Sequence, residues 1–280
     1  MARPFHDGRP RRVVVTGASS GIGRATADAF AQRGDLVFGT SRAADPDITS
    51  STPGVVTMTR LDVTDPASTQ ECIHQIIARA GGIDVLVNNA GVMQLALAEE
   101  TTDAQANLLI QTNLLGPARV IGQVLPGMRN RRRGLIINVG SLAAWIGEPG
   151  EAYYAATKAA LARYTEALRQ EVKHLGIGVS LIELGAFATP VLDHAITASR
   201  QISDYDSVRA AVTRTMRDAV AKSADASEAG RRIVAIATAE RPKRRYAIGR
   251  GGYVIPVMQA PLPQRWTDTL LRRGYGLTDS

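Results

Sequence analysis

The sequence of 280 residues predicts a doubly wound α/β fold: one parallel sheet of about seven strands with helices on both faces. Three observations carry that expectation. Short runs rich in Val, Ile and Leu alternate with stretches of helical composition between residues 12 and 248. One of them, Leu135–Val139, is the near-continuous apolar run of a strand covered on both faces, where a half-exposed sheet would alternate. No internal repeat or linker divides the chain, so residues 12–280 read as one Rossmann-like domain preceded by a flexible arm, residues 1–11.

Val13-Val14-Val15 is the first strand, and Thr16-Gly17-Ala18-Ser19-Ser20-Gly21-Ile22-Gly23 leads from it into the helix-forming run Arg24–Phe30. Such a turn suits a phosphate. The helix start offers unpaired N–H groups and the positive end of its dipole. Glycines let the backbone take positive φ and approach an anion closely. Leu36–Gly39 is the second strand, and Thr40-Ser41-Arg42 follows it. An acidic residue at this strand end would bond an adenosine ribose hydroxyl, whereas an arginine pairs with a 2′-phosphate. Arg42 comes first, with Asp45 and Asp47 further along, so NADP(H) is expected, with NAD(H) as the alternative.

Val55–Arg60 reads as the third strand, ending in Leu61-Asp62-Val63. Asp65-Pro66 starts a helix as N-cap and first-turn proline. Cys72 shares an apolar stripe there with Ile73, Ile76 and Ile77, which makes it a core residue. Ile83–Val87 is the fourth strand and runs into Asn88-Asn89-Ala90-Gly91. Ligands of such sheets lie beyond the carboxyl ends of the strands. The glycine turn, Arg42, Asp62 and Asn88–Gly91 all fall there.

Thr102-Asp103 caps a long helix expected to reach Met128. Pro117 lacks the N–H that would bond the Asn113 carbonyl, so the helix should kink and free that oxygen for a water. Leu135–Val139 is a buried strand followed by Gly140-Ser141, and Tyr154 and Lys158 share a face of the next helix, which runs to about His174. Ile177–Leu184 is the sixth strand, residues 187–223 are a polar, weakly patterned helical lid, and Asp225–Ala239 is a further helix. Tyr246–Ile248 is the seventh strand, and residues 249–280 form an extension with a short helix, Trp266–Arg272.

Taken together, the Thr16–Gly23 turn, Asn88–Gly91, Asn113, Ser141 and the Tyr154/Lys158 pair resemble the short-chain dehydrogenase/reductase family over about residues 12–248. Gly116-Pro117 and the pattern from Tyr246 to Leu277 resemble its hydroxysteroid and retinol dehydrogenase subgroup. The resemblance implies a catalytic tetrad of Asn113, Ser141, Tyr154 and Lys158 and a nicotinamide cofactor across the strand ends. It implies cofactor contacts from Gly17, Ser19, Ser20, Gly21, Ile22, Gly23, Ser41, Arg42, Asp62, Val63, Asn89, Ala90, Gly91, Tyr154, Lys158, Phe187 and Thr189. The family's Pro-Gly after the sixth strand is Leu184-Gly185 here, with Thr189 retained at its spacing. Met93, Trp145, Ile146 and Phe187 would border the nicotinamide end, implying a hydrophobic alcohol or ketone. Lys158 and the oxidised nicotinamide would draw the Tyr154 hydroxyl about two to three units below its usual ~10. A homodimer or homotetramer is implied by analogy.

The remaining composition narrows the alternatives. A single cysteine excludes an intrachain disulfide and a cysteine-based metal cluster, and no metal is expected. No apolar run is long enough for a membrane span, and residues 1–12 lack the apolar core of a secretory signal, so a cytoplasmic protein is expected. The net charge of +7 comes from scattered arginine runs without interleaved aromatics, which reads as a solvated face rather than a nucleic-acid site. The competing reading is a non-catalytic NADP(H)-sensing protein on the same fold.

Overall fold

The computed structural model describes residues 9–44, 52–249, 273–274 and 276. Asp45 and Asp47, residues 1–8 of the expected arm and the Trp266–Arg272 helix lie outside the described residues. The main sheet holds seven parallel strands: β1 (Arg12–Val15), β2 (Leu36–Ser41), β3 (Val56–Arg60), β4 (Val85–Asn88), β6 (Gly134–Ser141), β7 (Ile177–Leu184) and β9 (Arg245–Ile248). Their order is β3-β2-β1-β4-β6-β7-β9. The order reverses between β1 and β4, and a crevice opens there at the carboxyl ends. Two further strands, β5 (Gln94–Leu95) and β8 (Ile196–Thr197), form a separate parallel pair that the sequence reading lacked.

Alternation along each strand feeds two cores. Val13 and Val15 pack on one face with α1 (Gly21–Gln32) and α7 (Ala226–Thr238), through Phe30, Ile233 and Val234. Val14 and Leu86 pack on the other with α2 (Pro66–Ala80), α4 (Gly116–Arg131) and α5 (Ala152–Val172), through Ile73, Ile76, Val120 and Leu168. Cys72 lies in this second core, and burial pushes its thiol up to about 12. The basic runs are stitched into the body: Arg11 and Arg131 donate to the carbonyls of Ala237 and Ile83, and Arg12 pairs with Asp84. Arg11, the last residue of the expected arm, is buried and its N–H bonds Asp35.

Two expectations change. The long helix is interrupted: α3 (Asp103–Ile110) passes through a π turn, Gln111–Leu115, before α4. The distortion falls where Pro117 placed it, but as an i→i+5 turn in which the Gly116 N–H bonds the Gln111 carbonyl. Gly116 packs so closely on Val63 that a Cβ would come within 2.9 Å of it. Residues 187–223 are helical only in α6 (Asp206–Ala221), apart from short 3-10 turns. The rest is drawn out along the body by the β5–β8 pairing.

Candidate active site

The glycine turn is held by close backbone contact. Gly17 and Gly21 take φ of +66° and +54°. A Cβ on Gly23 would lie 2.1 Å from the Gly17 carbonyl oxygen and 2.4 Å from Asn89 Nδ2. Thr16, absent from the expected site, ties the turn to Asn88–Gly91. Its Oγ1 accepts from the N–H groups of Asn89 and Ala90, both at 3.0 Å. Asn89 Nδ2 donates to the carbonyls of Thr16 and Gly17. The α1 N-cap, Ser20, makes no side-chain cap, which leaves the first turn's N–H groups facing the crevice.

A groove of ≈ 420 Å³ follows these strand ends. It is lined by Gly17, Ser19, Ser20, Gly21, Ile22, Gly23, Ser41, Arg42, Asp62, Val63, Asn89, Ala90, Gly91, Met93 and Thr189. All of these were expected. Val92, Thr112, Pro190, Val191 and His194 line it too and were not. Arg42 stands exposed at its edge, and Asp62 accepts hydrogen bonds from the Thr64 N–H and hydroxyl that hold its carboxyl below the usual range despite burial. A glycine cradle that a Cβ would fill, with a helix N-terminus behind it, fits a dinucleotide's pyrophosphate.

Ser141, Tyr154 and Lys158 come together behind the groove wall at Gly91, and none of the three lines the groove itself. Ser141 ends β6 and Tyr154 lies in the first turn of α5, with a hydrogen bond between the two. Lys158 is buried, donates to the Val139 carbonyl at 3.1 Å and lies 5.7 Å from the Tyr154 ring centre. Gly91 brings the groove wall to this group: a Cβ there would sit 3.6 Å from Lys158 Nζ and 3.2 Å from Asn113 Oδ1. Asn113 is fully buried in the π turn. Its carboxamide accepts from the Val92 N–H and donates to the Val92 carbonyl, each at 2.9 Å, and donates to Thr157 Oγ1 at 3.2 Å. Thr157 in turn donates to the Tyr154 carbonyl. The Asn113 side chain therefore braces the groove wall against the helix that carries Tyr154.

The chain's own groups act on Tyr154 in the direction opposite to that expected with the oxidised nicotinamide beside it. Burial, and then the Glu151 charge, raise the Tyr154 hydroxyl above its ordinary value, with the Ser141 hydrogen bond acting against them. Burial also lowers Lys158 to about 8. Removal from water penalises the phenolate and the ammonium alike, so the chain's own groups hold Tyr154 as the phenol. Two side chains expected at the nicotinamide end are turned elsewhere. Phe187 is buried in the first core and packs against Gly249. Trp145 donates its indole N–H to Glu183 at 2.8 Å and stacks under Arg245, 3.8 Å from its ring centre. Among the described residues no cluster suited to a metal ion is present, and no helix is long and apolar enough to cross a membrane.

The sequence signature described as short chain dehydrogenase matches residues 11–200. The chain belongs to that family. It is 38% identical over 186 residues to the 3-ketodihydrosphingosine reductase of Bacteroides thetaiotaomicron, an alignment covering 66% of this chain and 67% of the relative. A solved short-chain dehydrogenase from Streptomyces avermitilis superposes with TM-score 0.80 at 32% identity, covering 98% of this chain and all of that one (100%). The gluconate 5-dehydrogenase of Burkholderia cenocepacia, solved with NADP and tartrate, gives TM-score 0.60 at 29% identity over 65% of this chain and 73% of that one. This short-chain dehydrogenase is an oxidoreductase of the class that interconverts CH–OH and C=O and uses a nicotinamide cofactor.

Proposed function

We propose that this short-chain dehydrogenase is an NADP(H)-dependent enzyme that reduces a carbonyl on an apolar substrate, or oxidises the matching alcohol, with Asn113, Ser141, Tyr154 and Lys158 as its catalytic group. The observation that carries the reading is the meeting of Ser141, Tyr154 and Lys158, with Lys158 directly behind Gly91 in the wall of a groove that suits a dinucleotide. The cofactor supplies the hydride. Tyr154 donates its hydroxyl proton to the carbonyl oxygen as the alcohol forms, and a neighbouring cation must offset the burial that opposes its phenolate. Ser141 hydrogen-bonds the same oxygen and stabilises charge developing on it. Lys158 offsets the phenolate left on Tyr154 and reaches toward the cofactor ribose. The Asn113 carbonyl, denied a partner N–H at Pro117, holds the water that returns the proton.

Arg42 at the groove's edge supports NADP(H) over NAD(H), in keeping with the NADP-bound Burkholderia relative. Met93, Leu95, Leu192 and Val208 pack against Val212 and Met216, an apolar patch that continues from the groove wall and supports a hydrophobic substrate. Leu108, Ile110 and Leu115 are 37–40% exposed on the helix that carries Asn113 and suit pairing with a second copy in a homodimer or homotetramer. A cytoplasmic location accords with the reading.

An NADPH and NADH oxidation screen across carbonyl classes, run on the wild type and Tyr154→Phe, tests it. Ketones with apolar substituents should turn over with NADPH. The phenylalanine variant should lose about 10³-fold or more in kcat while binding NADPH as before. Appreciable turnover by that variant removes the assignment. NADPH binding without turnover on any carbonyl supports the sensing alternative.

A further inference from the structure

Residues 189–205 run from the outer rim of the groove, at 189–194, to α6 and bury little of themselves. Pro190, Asp193, His194 and Thr197 are exposed, and Val191 is 37% exposed. Yet Thr189, Pro190, Val191 and His194 line the groove. Apart from Leu192, which packs against Val212 and Met216, the strap has little apolar packing, so polar anchors carry much of its hold.

One end is fixed where the Ala188 N–H bonds the Ala224 carbonyl at 2.8 Å and Ala188 bridges Asp225. In the middle, the Ile196 N–H bonds the Met93 carbonyl at 2.8 Å, and Gln105 Nε2 donates to the Thr197 carbonyl at 2.7 Å. The β5–β8 ladder itself spans two residue pairs, too short to persist unaided. The far end is held by Glu100, whose side chain is fully shielded from solvent, and Arg209 on α6. Glu100 accepts the Ile202 N–H at 2.8 Å, and the Arg209 guanidinium bonds both carboxylate oxygens. Arg209 also donates to the Ile202 carbonyl at 3.0 Å and to Asp206 at 2.6 Å. Beside them the Tyr205 hydroxyl donates to Glu99 at 2.6 Å. One ion pair thus satisfies both polar groups of a single strap residue and joins it to the segment that starts at Val92, which Asn113 braces.

We propose that Glu100 and Arg209 are a positioning pair that seats residues 189–205 over the cofactor groove and sets the rate at which the cofactor leaves. The cofactor half rests on the function proposed above; the tether itself does not. Charge-assisted bonds to one buried carboxylate are strong and geometrically specific. Removing one partner strands a buried charge. A pair of apolar replacements avoids that and removes only the tether.

The test compares wild type, Glu100→Gln and the double variant Glu100→Leu with Arg209→Met. Stopped-flow release of NADPH, amide hydrogen exchange at 189–205 and thermal unfolding are read for each. The proposal expects NADPH release to quicken by about tenfold or more in both variants, with faster exchange at 189–205. KM for NADPH rises more than kcat changes, and the double variant melts within a few degrees of wild type. Release within twofold of wild type overturns the proposal, whether or not exchange quickens. Exchange unchanged at 189–205 overturns the tether. If wild type binds neither NADPH nor NADH, the proposed function and the cofactor half fall together, and the exchange result alone decides the tether.

Discussion

The Gly17–Gly23 turn and the 189–205 strap face one another across the same groove, yet they are held by opposite means. The turn is fixed by main-chain proximity: Gly23 leaves no room for a Cβ, and Thr16 and Asn89 bond almost entirely to backbone. The strap is fixed by side chains that reach in from distant elements, above all Glu100 and Arg209, 109 residues apart. The first arrangement gives one rigid wall for phosphates. The second gives a wall whose hold depends on a few replaceable contacts, where substrate must enter and product leave.

The most damaging way to break that comparison is Gly23→Ala. The added methyl meets a carbonyl oxygen and the Asn89 amide, neither of which yields without opening the turn. A loss of about 3 kcal/mol in stability is expected, with NADPH affinity falling about 100-fold or more. Gly122→Ala on α4, where a Cβ meets nothing within 4 Å, should be neutral or stabilising by about 0.5–1 kcal/mol. Thermal melts and NADPH titration of both variants check the pair. Equal behaviour would mean that the turn tolerates movement.

The same contrast explains what was legible in the sequence. The parallel sheet and the groove's phosphate end follow from local features: apolar runs set the strands, and glycines mark the turns the backbone must make. Those features carry their meaning within a few residues. The π turn does not, because Pro117 announces a break in the helix but the tight seat of Gly116 on Val63 belongs to its final form. Phe187 and Trp145 were placed near the right strand ends. Which way each side chain turns depends on partners such as Gly249, Glu183 and Arg245, far away in sequence. The Glu100–Arg209 pair left no sequence signal at all, since no spacing rule links a short turn after β5 to the helix of the strap.

A smaller effect sharpens the rigid side of the comparison at its exposed edge. Arg42→Asp removes a cation from the groove's rim and adds an anion near Asp62. The ratio of kcat/KM for NADPH over NADH should fall about 30-fold, or about 2 kcal/mol, with NADPH losing most. An unchanged ratio would mean that Arg42 does not read the 2′-phosphate.

The smallest effect lies where the catalytic helix meets the lid side. Gly150 packs against Val212 of α6, and Glu151 follows it as the uncapped N-terminus of α5. Glu151 is buried, and burial together with the Glu148 charge raises its carboxyl to about 8. A folded-state value above the unfolded 4.5 means the native protein binds more protons between those two pH values. The stability Glu151 contributes is therefore complete below about 4.5 and lost as pH rises through about 8. Glu151→Gln cannot titrate, so its melting temperature should gain on wild type progressively across that interval. Parallel pH dependences would show that the Glu151 carboxyl finds water or a partner that restores its ordinary acidity, leaving it ionised near neutral pH with its charge acting on Tyr154.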